Sequence, residues 1–157
     1  MNRQEITAEL SDLLEKYLDP HHDLRIYWSH EVTFDYGTNH QIRVDYMKFK
    51  PVNGSVSGIE KGDFYCFEVK SSVEDFRSKN GHNFIGDYNY YVMPQEVYDA
   101  IRCEIPHSVG VLVSKEHTHL AAIKKPCRRD RTRPVSEMLL MMWRSSRREL
   151  VKAAKGK

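Results

Sequence analysis

Three cysteines in 157 residues, with no Cys-x-x-Cys pair among them, leave nothing from which to build a zinc ribbon or a disulfide framework. Cys66 falls in a strand-like run and Cys103 near a helix end, so both are expected to be buried, reduced thiols. No apolar run approaches the roughly 18–20 residues that a membrane-spanning helix needs. The opening MNRQEITAELSDLLEKYL is charged and helix-patterned rather than signal-like. The expectation is a cytoplasmic protein without membrane association. Repeats and a second domain are not indicated, so residues 1–157 are expected to form one domain with its own core.

Net charge is also small, +2 at neutral pH, but it is unevenly placed. Residues 124–157 hold 12 of the 24 lysines and arginines against only Asp130, Glu137 and Glu149, so the rest of the chain is acidic. A segment that basic suits contact with phosphate backbones, and it equally suits a solvated helix face. The densest part is CRRDRTRP, which brings Arg128, Arg129, Arg131 and Arg133 together. Eight histidines include the pairs His21-His22 and His117-Thr-His119, but no third ligand follows at metal-binding spacing.

Apolar periodicity outlines the fold. Ile6, Leu10, Leu13, Leu14 and Leu18 recur at helical spacing, with Thr7 a candidate N-cap and Pro20 a stop. Leu24–Phe34, Gln41–Lys50 and DFYCFEVK read as three strands of an antiparallel meander, with PVNGSVSGIEKG as a loop between the last two. In the second strand, alternation puts Ile42, Val44 and Tyr46 on one side and Arg43, Asp45 and Met47 on the other. Serines then cap a short helical turn broken at Asn80-Gly81. An aromatic strand, Tyr88–Met93, leads into a helix opened by Pro94. Ser108–Ser114 and Leu120–Lys125 are two more strands. A long helix from about Pro134 carries Met138, Leu139, Met142, Trp143 and Leu150 as its apolar stripe. The order α-βββ-α-β-α-ββ-α predicts an α/β or α+β fold, one mixed sheet flanked by helices.

Chemistry concentrates at CFEVKSSVEDF. Glu68 and Lys70 are two apart on a strand and share a face, while Phe67 and Val69 face the opposite layer. Asp45, on the preceding strand, could converge with Glu68 on one cation. Two carboxylates, a backbone carbonyl and water make an oxygen-ligand Mg²⁺ site. Such an ion polarises a phosphate or acidifies a bound water, and a nearby lysine can steady either. Spacing alone leaves a plainer alternative open, in which these charges are the polar face of an exposed strand. The apolar neighbours of Glu68 favour a central strand, where a charge needs a reason.

An aspartate on a hairpin, then Glu-Val-Lys closing the next strand with a helix directly after, resembles the PD-(D/E)XK nuclease superfamily. RVDYMKF, FEVKSSVEDF, DYNYYVMP and IPHSVGVLV together are similar to its MmcB-like DNA-repair branch, over about residues 24–125. Val44 stands where the superfamily often has proline before the aspartate, and RSKNGHNF departs from the branch after the lysine.

The resemblance implies a restriction-endonuclease-like core and a Mg²⁺- or Mn²⁺-dependent DNA endonuclease. Asp45, Glu68 and the Val69 carbonyl would be metal ligands and Lys70 the catalytic lysine. Glu31 matches a first-strand glutamate that could serve a second metal or be a strand-edge charge, and Glu5 or Glu9 could match a helical one. Ser71, Ser72 and Asp75 match the helix after the motif, with the serines as caps or phosphate contacts. Lys79, His82, Asn83 and Tyr88 would lie near the substrate, with Arg128, Arg129, Arg131 and Arg133 holding the DNA backbone. Tyr88, Tyr90 and Tyr91 read as core before stacking platforms. A nuclease-fold adaptor without turnover, and a homodimer or partner contact through Met138, Met141 and Met142, are the remaining expectations.

Overall fold

A computed structural model of the chain describes residues 1–156. Helix α1 (Arg3–Leu18) starts four residues before the expected cap. Asn2 accepts from the Glu5 N–H, and the Glu5 carboxylate accepts from the Asn2 N–H, a reciprocal capping box. Thr7 lies inside the helix and donates its hydroxyl to the Arg3 carbonyl.

Six strands follow: β1 (Tyr27–Phe34), β2 (Ile42–Lys50), β3 (Asp63–Val69), β4 (Tyr88–Pro94), β5 (Gly110–Lys115) and β6 (His119–Lys124). They form one mixed sheet in sequence order. The β1–β2–β3 meander is antiparallel, β3–β4 and β4–β5 are parallel, and β6 returns antiparallel. Short helices interrupt the connections: α2 (Val56–Glu60), in the segment expected as loop, α3 (Val73–Arg77) and α4 (Gln95–Ile101). The chain closes with α5 (Val135–Lys155). The architecture is α+β, with the expected central mixed sheet and flanking helices.

Three apolar clusters hold the layers. On one face, Leu10, Leu13, Leu14 and Leu18 of α1 pack on Tyr46, Phe67, Val69, Val92 and Leu112. On the other, Val135, Met138 and Met142 of α5 cover the β1–β3 half through Val32, Val44, Met47, Phe64 and Cys66. Phe76 of α3 and Val97 and Ile101 of α4 cover the β4–β5 half. By strand alternation Glu68 shares this second face and falls in the seam between its two clusters.

Alternation breaks on β1 and β2. Tyr46 packs under α1, whereas Val44 joins Met47 and Phe49 under α5. This corrects the expectation that Val44 and Tyr46 share a side and Met47 opposes them. Likewise Trp28 faces α1, and Val32 faces α5. Between them Glu31 adopts a left-handed φ of +50°, and the ladder skips from His30↔Tyr46 to Val32↔Val44. The two residues passed over are Glu31 and Asp45. Helix α5 pins this kink: Ser145 donates to the His30 carbonyl and Arg148 to the Glu31 carbonyl.

Two further expectations are corrected by packing. Cys66 is buried, but Cys103 and Cys127 are exposed. In α5, Trp143 and Leu150 are 66% and 64% exposed, so they stand outside the buried stripe.

Candidate active site

The β2–β3 ladder ends at Tyr46↔Phe67, and beyond it the Asp45 side chain takes the place of backbone. Its Oδ2 accepts the Val69 N–H at 2.8 Å. A strand residue's N–H and C=O point to the same neighbour. The Val69 carbonyl is therefore turned to the Asp45 side, where pairing has stopped.

Glu68 is fully buried. Its Oε1 accepts the Asn83 N–H at 3.3 Å, while Oε2 has no hydrogen-bond donor among the described residues. Asp45, held to the Val69 N–H, is thereby brought beside the neighbouring residue Glu68, and each carboxyl influences the other's protonation. Burial first, and the Asp45 charge second, push the Glu68 carboxyl up to about 9. Burial also raises Asp45, against the lowering effect of the Val69 N–H. A half-buried and a fully buried carboxyl as neighbours, the latter with an orphaned oxygen, call for a proton or a cation between them.

Lys70 is 2% exposed, and its Nζ donates to the carbonyls of Asn80 at 2.6 Å and Asp75 at 3.4 Å. An ammonium has three N–H groups, so one remains for water or substrate. Gly81 lies directly over this ammonium. A Cβ there would stand 2.7 Å from Lys70 Nζ and 3.4 Å from Glu68 Oε2, and its φ of +72° also suits glycine. Asn83 ties the same loop to β2 by donating to the Arg43 carbonyl.

Above this group opens a cleft of about 1020 Å³, with Arg43, Asp45, Val69, Lys70, Lys79 and Lys152 in its wall. Glu31 reaches it from the β1 kink, where its carboxylate gathers with His30 and Glu149. His30 Nε2 lies 3.5 Å from Glu149 Oε1. Sequence reading missed His30, Glu149, Lys152 and Gly81. The Asn-Gly break was a signal for the last, but nothing local announces Glu149 beside Glu31. The two helical candidates are occupied elsewhere, Glu5 in the α1 cap and Glu9 with His117.

Ser71 and Ser72 act locally. Ser72 caps α3 by accepting the Asp75 N–H, and the Asp75 carboxylate accepts from the Ser71 N–H and hydroxyl. Lys79 is exposed at the cleft rim, and His82 bridges the Tyr91 hydroxyl and the Ser78 carbonyl. Tyr88 starts β4 and stacks on Tyr65, away from the strand end that carries Glu68.

The basic loop is also elsewhere. Arg128 pairs with Asp63 at 2.7 Å and Arg131 with buried Asp87 at 2.9 Å. Asp63 opens β3, whereas Glu68 lies at its far end and Lys70 just beyond it. Arg133 pairs with Asp35 and Glu137 and lies over the Phe34 ring. Only Arg129 of the four has no side-chain ion pair among the described residues. Arg128, Arg131 and Arg133 hold the loop to the fold, and none of the four lines the cleft.

No protein-family model matches the chain, and no curated protein does. A solved protein of unknown function from Silicibacter pomeroyi is similar to it, with a TM-score of 0.64 at 15% identity. The match spans 100% of this chain and 96% of that one. At such identity the likeness concerns the fold alone.

Proposed function

We propose that the protein is a metal-dependent nuclease of the PD-(D/E)XK kind, hydrolysing phosphodiester bonds in DNA. One observation carries the reading: half-buried Asp45 lines a cleft that also carries lysines and Arg43, and the fully buried Glu68, with an orphaned oxygen, lies behind that wall. The donor set is all oxygen, with the Val69 carbonyl turned to the same side, which suits Mg²⁺ or Mn²⁺. When held by these groups, the ion would polarise the scissile phosphate and acidify a water.

The chain's own residues supply the rest. Lys70, steadied by the Asn80 and Asp75 carbonyls, keeps one N–H for an attacking water or a phosphate oxygen. Arg43, Lys79 and Lys152 offer charge to the backbone on either side. In-line attack by water on phosphorus forms the new P–O bond as the sugar oxygen leaves.

The test is cleavage of single-stranded, duplex and branched DNA with Mg²⁺, Mn²⁺ or EDTA, beside Asp45→Ala and Lys70→Ala. Cleavage only with metal, and at least 100-fold slower in both variants, is expected. Metal-independent cleavage, or variants as active as the parent, contradicts the reading. A second reading, a nuclease-fold DNA-binding adaptor, is favoured by the complete burial of Glu68 beneath Gly81 and Asn83. It predicts DNA affinity that survives both substitutions and no cleavage.

A further inference from the structure

Helix α5 has one face the core does not use. Leu140, Trp143, Leu150 and Val151 are exposed along it, with Trp143 at 66%. Around them stand Arg144, Arg147, Lys152 and Lys155. Among the described residues, Arg144, Arg147 and Lys155 have no carboxylate partner, and Lys152 has only Glu149 at 3.5 Å. Trp143, Arg144, Arg147, Val151, Lys152 and Lys155 line a shallow groove of about 410 Å³. Lys152 also lines the large cleft, so the groove and the candidate site share a wall residue.

We propose that this groove is the path of an unpaired nucleic-acid strand, with Trp143 as the platform on which one base stacks. The inference rests on the nuclease reading and deepens it: the substrate is DNA with a single-stranded stretch beside the scissile phosphate. The chemistry selects the occupant. A row of cations tracks a phosphate backbone, and an indole among them offers a flat apolar surface that every base can use. A paired duplex keeps its bases stacked inside and gives Trp143 nothing to hold. A second copy of the same face would set this row of cations against itself.

The chain has two tryptophans, and Trp28 is the other, so Trp28→Phe leaves Trp143 as the sole reporter. In EDTA, its emission is titrated with a 20-nucleotide oligothymidylate, a 20-base-pair duplex, and vesicles containing phosphatidylserine. Anisotropy with labelled oligonucleotides on the native background, beside Trp143→Ala and Arg144→Glu/Arg147→Glu, gives a readout independent of Trp28→Phe folding.

The single strand is expected to quench Trp143, and the duplex and vesicles to leave it unchanged. Trp143→Ala should weaken single-strand binding roughly tenfold and leave the duplex within twofold. The double glutamate variant should flatten the salt dependence. Equal losses for strand and duplex, quenching by vesicles alone, or concentration-dependent dimerisation through this face would overturn the path. Quenching without metal-dependent cleavage keeps the path and removes the nuclease. Cleavage with no quenching and an unimpaired Trp143→Ala keeps the nuclease and removes the path.

Discussion

The Asp45 carboxylate accepts the Val69 N–H at 2.8 Å at the point where backbone pairing between β2 and β3 stops. A side chain thus replaces a ladder bond, the strands part, and Glu68 is left beside a second carboxyl with one oxygen unsatisfied. Loop conformation, stability and the proposed metal site at this seam therefore depend on the same few atoms.

Glu68 ties stability to pH. Its carboxyl is raised from an ordinary value of 4.5 to about 9, so folding favours the protonated form. The associated stability is full below the unfolded value and is lost as pH rises through the folded one. In EDTA, denaturation from pH 5 to 9 should show this decline, at most about 1.4 kcal/mol per pH unit for one proton. Glu68→Gln should remove it, and Mn²⁺ should offset it in the parent. A parent and Glu68→Gln with parallel pH profiles would contradict the assignment.

Gly81→Ala and Gly37→Ala separate strain from crowding. Both glycines have positive φ, +72° and +79°, but only Gly81 has atoms close to a would-be Cβ. Gly37→Ala should cost about 1 kcal/mol from backbone strain. Gly81→Ala should cost that and also displace the Lys70 ammonium, so Mn²⁺ affinity should fall in this variant alone. Denaturant midpoints and Mn²⁺ titration read the two effects.

Arg131→Met leaves the Asp87 carboxylate buried beside fewer partners. A loss of roughly 3 kcal/mol is expected, with DNA affinity of the folded protein unchanged. Arg129→Ala should be near neutral in stability. Urea unfolding together with DNA anisotropy distinguishes a structural arginine from a phosphate contact.

On α5, Met142→Ala should cost about 2–5 kcal/mol, and Trp143→Ala should stay within about 0.5 kcal/mol. Met142 is 5% exposed and Trp143 is 66% exposed. Equal losses in thermal or urea unfolding would place the helix in a different rotation.

The strands, and the placing of Glu68 and Lys70 at the end of one, were legible because two-residue alternation and apolar neighbours are local signals, whereas Asp45 sits where that alternation breaks. The kink at Glu31 was not, since a glutamate resists positive φ. Ser145 and Arg148, more than a hundred positions away, hold it there. Charge counting found the basic loop but could not pair Arg128 with Asp63 or Arg131 with Asp87, contacts that only the folded chain creates. Trp143 fits a helical apolar stripe in the sequence, yet the stripe is narrower than the pattern, and the indole lies outside it.

The most direct test of the paired carboxylates is a crystal soaked in Mn²⁺ and measured at the manganese edge. An anomalous peak about 2.0–2.3 Å from oxygens of both Asp45 and Glu68, absent in Asp45→Ala, is predicted. Manganese bound elsewhere, or no peak with both carboxylates ordered, would contradict the account.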